Sequence, residues 1–177
     1  PTQALVNSET DTPVFFCAVS APTAAGILTD MDKPDKNATG TSNAIPVSKI
    51  IDLAQATTPV KKIGLIYSGN EDNATNTVKQ CEEYLKSINV EYVEKTAASS
   101  NDVETATNAL IAEGAEAIFV PNDSIIQDGV SKLTEICNEK KIPTYCSSAT
   151  TVASGCFATL AIDDKGIGKK TVDIAMD

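Results

Sequence analysis

The feature that most constrains this chain is an alternation of near-continuous apolar runs with amphipathic stretches, beginning at Lys61. Residues Lys62–Tyr67, 90–93, Ala117–Val120, 142–146 and 156–162 read as strands. The stretch Asp72–Ser87 carries apolar or small residues at Ala74, Val78, Cys81, Leu85 and Ile88, the three-to-four spacing of one helix face. Residues 103–112 repeat that spacing through Val103, Ala106, Ala109, Leu110 and Ala112, and 125–140 do so through Val130, Leu133, Ile136 and Cys137. Strands that are apolar on both sides need helices on both faces. Alternation at these lengths builds βαβ units with right-handed crossovers. An α/β fold with a three-layer parallel sheet is expected.

Punctuation agrees with this period. Ser99-Ser100-Asn101-Asp102 offers an N-cap with an acid in the first turn. Gly114 stands where a helix closes in the left-handed conformation. Residues 46–162 then form one complete Rossmann-like lobe. The flanks do not fit inside it. Residues 13–19 read as a buried strand after a short helix over 2–8, residues 32–42 as a polar loop, 46–56 as a helix with proline near its first turn, and 164–177 as a helix. One strand and its neighbours cannot cover a sheet on both faces. Residues 1–45 are therefore expected to be part of a second, similar lobe, with 163–177 as a helix returning towards it and the remainder lying outside this chain.

Composition removes whole classes of function. The formal charge is −10 and no basic cluster interrupts it, so phosphate neutralisation, and with it nucleic acid, is excluded as a partner. No apolar run approaches the roughly 20 residues of a membrane span. Histidine is absent, which removes the commonest general base, every Ser-His-Asp or Cys-His arrangement and most zinc sites. Cys17, Cys81, Cys137, Cys146 and Cys156 match neither a redox pair nor a metal clip. Each lies in or beside an apolar stretch and is expected to be a buried small hydrophobe. The odd count leaves at least one thiol free, and Cys146–Cys156 is a pairing the spacing allows.

Polar residues gather where the strands end. Ser20 follows the first strand, Ser68-Gly69-Asn70-Glu71-Asp72-Asn73 the strand at Lys62, Asn122-Asp123-Ser124 the strand ending at Val120, Ser147-Ser148 the one ending at Cys146, and Asp163-Asp164 the last. In an open parallel sheet these ends share one edge, where free backbone N–H groups and helix dipoles converge. Helix capping alone accounts for Ser147-Ser148 and for Ser99–Asp102. It does not account for four consecutive polar side chains from Asn70 to Asn73, because one cap needs one side chain. Asp123 reads either as an N-cap or as the acceptor for a ligand ammonium. There is no phosphate-loop lysine and no glycine triplet, so nucleotide sites lose ground. Glu71 and Asp163 as a hydrolytic acid pair lack a supporting histidine, metal motif or nucleophile. What remains suits capture of a small polar molecule.

Several stretches, in order and spacing, resemble one family. Gln3-Ala4-Leu5, Pro13-Val14-Phe15-Phe16, Ala18-Val19-Ser20, Asn37-Ala38-Thr39-Gly40, Tyr67-Ser68-Gly69-Asn70-Glu71-Asp72-Asn73, Val120-Pro121-Asn122-Asp123, and Ala161-Ile162-Asp163 followed by Gly168 are similar to the ABC-transporter substrate-binding proteins of periplasmic binding protein type I fold, in the subfamily that includes tryptophan-binding lipoproteins. The resemblance spans essentially the whole chain. It departs at Ala21, where the family usually has aspartate, and at Asn122 and Ser124-Ile125.

The resemblance implies a two-lobed clamp that closes on a small amino-acid-like ligand, aromatic ones included, and delivers it to ABC permease membrane subunits. It implies a monomer needing no cofactor and no metal, held outside the cytoplasm by a lipid anchor or in the periplasm, with an amino-terminal portion of the first lobe and its leader missing here. On matching positions, Thr2, Gln3 and Ser20 would line the first lobe. Asn70, Glu71, Asn73, Asn122, Asp123, Ser147 and Asp163 would line the second lobe and hinge side. A second reading is the effector-binding domain of a LacI-type transcription regulator, which shares the fold and would carry a helix-turn-helix. An α/β enzyme ranks last.

Overall fold

The computed structural model describes residues 2–8, 11–19, 21–23 and 25–176. In chain order the elements are α1 (Thr2–Val6), β1 (Val14–Phe16), β2 (Ala38–Gly40), α2 (Val47–Thr57), β3 (Lys62–Tyr67), α3 (Asp72–Ser87) and β4 (Glu91–Thr96). There follow a 3-10 turn (Ser100–Asp102), α4 (Val103–Ala112), β5 (Ala117–Val120), α5 (Ser124–Asp128), α6 (Val130–Glu139), β6 (Thr144–Cys146), α7 (Ala149–Ala153), β7 (Ala158–Thr159) and α8 (Asp164–Met176). They separate into two compact units, Ile45–Ala161 and Pro1–Ala44 with Ile162–Asp177.

The 45–161 unit is an open, wholly parallel sheet in the order β4-β3-β5-β6-β7. Strand side chains alternate between two apolar layers. Ile63 and Leu65 of β3, with Ala117 and Phe119 of β5, pack with Ile50, Ile51 and Ala54 of α2 and Val78, Cys81 and Leu85 of α3. Ile66, Ile118 and Val120 face the other way, onto Val103, Ala106 and Leu110 of α4 and Val130, Leu133 and Cys137 of α6. Each fully buried leucine or isoleucine is worth roughly 1.5–3 kcal/mol of transfer free energy. Gly64 fits where the sheet meets α4: a Cβ there would lie 3.2 Å from Leu110 Cδ1 and 3.1 Å from Ala115 Cβ.

Strand order decides where a ligand can go. The chain leaves β3 leftward to β4, then crosses to β5 and continues to β6 and β7. The direction reverses between β3 and β5, and such a switch point opens a crevice at the carboxyl ends of the two strands.

The other unit holds a two-stranded parallel sheet, Val14 opposite Ala38 and Phe16 opposite Gly40, over a small core of Phe16, Ile27, Leu28 and Ala38. In the same unit, the Thr41 hydroxyl lies 2.6 Å from that of Thr171 on α8, and the Thr171 hydroxyl donates to the Ile167 carbonyl.

Several expectations need correcting. Residues 32–42 are not all loop, because β2 lies within them. The helix expected over 125–140 is two helices, broken at Gly129. There a Cβ would come within 2.9 Å of the Ser100 carbonyl oxygen and 2.7 Å of Val103 Cγ2, so the chain turns where α4 presses against it. The strand expected over 13–19 is confined to Val14–Phe16, after which Ala18 takes a left-handed φ of 57°. The strand expected over 156–162 pairs only at Ala158–Thr159. Helix α7 was not expected at all. Cys17 is exposed rather than buried, while the other four cysteines are buried free thiols.

Candidate ligand-binding site

At the switch point the turn after β3 and the turn after β5 are joined by three hydrogen bonds. The Ser68 N–H donates to Asp123 Oδ2 at 2.8 Å, the Ser124 N–H donates to Glu71 Oε1 at 2.9 Å, and Asn73 Nδ2 donates to the Asn122 carbonyl at 2.9 Å. Sequence places all of these at strand ends. The fold makes them partners across 49 to 55 residues of chain.

Asp123 is the centre of this staple. It is fully buried and is the N-cap of α5, its Oδ1 accepting from the Ile126 N–H at 3.2 Å. Of the two readings of Asp123, the structure shows the N-cap, inside the molecule rather than at its surface. Burial without a partner would cost several kcal/mol for a carboxylate, and two backbone N–H groups offset that cost. Glu71 is half-buried and Asn73 exposed. The excess of polar groups beyond one cap at 70–73 is thus explained in part by bonds from turn to turn.

The remaining side chains here face outward. Asn70 is exposed, its N–H donating to Ser68 Oγ at 3.2 Å. Asn122 is exposed, with Oδ1 accepting from Gln127 Nε2 at 2.5 Å. Ser147, half-buried at the end of β6, donates its N–H to the Val120 carbonyl at 3.1 Å, which holds it beside the end of β5. Ser148 stands at the N-cap position of α7 without a side-chain bond to the helix backbone, its hydroxyl 2.6 Å from that of Thr150. None of the turns 68–73, 121–124 and 147–148 contains a lysine or arginine.

Thr2, Gln3 and Asp163 belong to the other unit. Thr2 and Gln3 open α1, with Gln3 exposed. Asp163 is exposed before α8 and lines a groove with Thr41, Ile162, Ile167 and Lys170. A Cβ at Gly166 would lie 2.6 Å from its Oδ2. Ser20 lies outside the described residues. Among the described residues, no three or more cysteine, aspartate or glutamate side chains are grouped to hold a metal ion, and no helix is long and apolar enough to cross a membrane. Missed by sequence reasoning was Ser68 as the backbone donor to Asp123; its only signal was its place at the strand end.

Tyrosine and cysteine chemistry is muted. Burial and the neighbouring Glu94 push the Tyr67 hydroxyl up from its usual range. Burial pushes the Cys81 and Cys137 thiols up to about 12.

An open parallel sheet with polar, non-basic turns at its switch point defines an α/β fold of doubly wound type, and family comparison makes the assignment specific. Residues 1–177 match the model of the ABC transporter substrate binding protein family, and the chain belongs to that family. It is 34% identical over 176 residues to the "Tyrosine-binding protein" of Clostridioides difficile strain R20291, covering 99% of this chain and 51% of that protein. The ligand-free, open structure of a substrate-binding protein with adhesive properties from Clostridium difficile superposes with a TM-score of 0.91 at 31% identity, covering 99% of this chain and 59% of that one. A Streptococcus pneumoniae ABC domain in complex with L-Trp gives a TM-score of 0.74 at 29% identity, covering 99% and 61%. The chain spans about half the length of the curated relative it matches. The fold is that of the periplasmic binding protein type I class.

Proposed function

We propose that this chain is part of the solute-binding component of an ABC importer, acting outside the cytoplasm on an amino acid. The observation that carries the reading is the set of turns following β3, β5 and β6 at the switch point of the sheet, furnished with amides, hydroxyls and carboxylates and without a lysine or arginine in turns 68–73, 121–124 and 147–148. Such a set recognises an ammonium and neutral polar groups through directional hydrogen bonds. The names of the similar proteins, tyrosine for one and a bound L-Trp for another, favour an aromatic amino acid.

In this reading Asn70, Asn122 and Ser147 contact the ligand. Glu71, Asn73 and Asp123 hold the two turns in register, and Glu71 and Asn73, which are not buried, also face the ligand. Thr2, Gln3, Ser20 and Asp163 contribute from the other lobe. Closing of the two lobes by a hinge buries the ligand, and a permease distinguishes closed from open. The protein works as a monomer and catalyses no reaction. Lipid anchoring at the cell surface completes the proposal.

The test is a thermal-shift screen of the intact protein against amino acids, nucleosides and sugars. Ligand at about 100-fold over Kd adds roughly 2.7 kcal/mol to stability. An amino acid, with tyrosine or tryptophan foremost, is expected to raise the Tm. If no compound in the panel moves it, the proposal fails. Turnover of the bound compound would replace it with an enzyme.

A further inference from the structure

Thr41 and Thr171 do more than join β2 to α8. In a regular parallel ladder, the N–H and C=O of one residue bond to two residues that lie two apart on the neighbouring strand. Here the Thr41 N–H donates to the Phe16 carbonyl at 3.0 Å, but the Thr41 carbonyl accepts from the Val19 N–H at 3.2 Å, three residues further on. Ala18 is the extra residue. It takes a left-handed φ of 57°, and its N–H, displaced from the ladder, donates to Thr41 Oγ1 at 3.4 Å. A one-residue bulge of this kind re-aims the chain that follows it, and bulges concentrate beside functional sites.

The hydroxyls that hold the bulge run in one direction. Thr171 Oγ1 donates to the Ile167 carbonyl at 3.0 Å, which commits its single proton. The 2.6 Å bond between the two hydroxyls is therefore donated by Thr41. Ala18 N–H, Thr41 O–H, Thr171 O–H and the Ile167 carbonyl form a relay that uses each proton once. A backbone donor fixes one end and a helix carbonyl the other. Thr171 is buried, which keeps competing water away from that end. The Cβ of an alanine disfavours left-handed backbone, so this conformation persists only where the surroundings over-determine it.

We propose that Thr41 and Thr171 are positioning residues for the ligand site, holding the bulge at Ala18 and, through it, the turn at the carboxyl end of β1 that carries Ser20. This rests on the amino-acid reading above, in which Ser20 meets the guest. Neither threonine touches the guest; both act through Ala18. Every member of the relay lies in the same compact unit, so the turn is set without any contribution from the 45–161 unit.

The experiment has two arms on the intact protein: amide hydrogen exchange by NMR without ligand, and calorimetric titration with tyrosine and with tryptophan. Thr41→Val keeps the shape and removes the hydroxyl. Exchange at Ala18 should quicken and affinity should fall, each by about fivefold, the worth of one ordinary hydrogen bond. Thr171→Val leaves Thr41 Oγ1 able to accept, so both effects should be smaller. Thr41→Ser, which restores the hydroxyl, should return both to wild-type values. Ala18→Gly removes the Cβ penalty. In the Thr41→Val background it should recover affinity while exchange at position 18 stays fast, a rescue that a merely structural loss would not show. Unchanged exchange at Ala18 in Thr41→Val would refute the relay, and quickened exchange with unchanged affinity would refute the positioning role. A wild type that binds neither amino acid would sink the aromatic amino-acid reading, and this proposal with it, whatever the exchange arm shows of the relay.

Discussion

Replacing Asp123 with alanine removes one side chain and strips two backbone donors at once. The Ile126 N–H loses its cap, worth about 1 kcal/mol. The Ser68 N–H loses a charge-assisted bond in a site with no exposure, worth about 1.5–3 kcal/mol, since water cannot replace the carboxylate there. Asp123→Ala should therefore destabilise the 45–161 unit by about 3 kcal/mol. Asp123→Asn is nearly isosteric but offers one acceptor oxygen for two donors, so it should cost about half as much. Asn70→Ala, which touches only an exposed side chain, should change stability by less than about 0.5 kcal/mol. Urea titrations followed by far-UV circular dichroism give the midpoints. An Asp123→Ala loss below about 1 kcal/mol would mean that the two amides find other partners, and the account of the staple would be wrong.

Two further outcomes follow from packing and burial. Gly129→Ala forces a methyl against Val103 and the Ser100 carbonyl, so α4 and α5 must separate; a loss of about 1–3 kcal/mol in the same titration is expected, and a neutral result would show that the contact yields freely. Cys81 and Cys137 have folded-state pKa values raised from 9.0 to about 12, so the stability they contribute is complete below pH 9 and is lost as pH rises towards 12. Each should cost about 1.4 kcal/mol per pH unit in that window. Denaturation midpoints of the wild type and a Cys81→Ala, Cys137→Ala variant, each measured at pH 8 and 10.5, check this: the wild type should fall more steeply, and parallel falls would refute it.

Elements with a long apolar period were legible from sequence. Lys62–Tyr67, Asp72–Ser87 and Ala117–Val120 appear with the expected limits, because burial on both faces leaves a continuous apolar run and a helix face leaves its spacing. Short elements were not. Ala38–Gly40 has three residues, one of them glycine, and pairs only because β1 lies alongside. The break at Gly129 comes from Val103, 26 positions away in the chain, which no local pattern encodes. The same divide runs through the crevice. The concentration of polar residues at strand ends was visible, but the bonds of Asp123 to Ser68 and of Glu71 to Ser124 were not, since strand order had first to bring β3 beside β5.

Those bonds have a consequence for selectivity. In many α/β proteins the free N–H groups at a switch point receive a phosphate or another anion. Here the Ser68 and Ser124 N–H groups already face carboxylates of the chain itself. An anionic guest would have to evict Asp123 or Glu71, breaking a protein bond and facing the displaced negative charge. The crevice is in effect occupied in advance by its own counter-anions. If these turns line the ligand site as proposed, they should disfavour phosphorylated compounds and dicarboxylates and favour neutral or cationic groups.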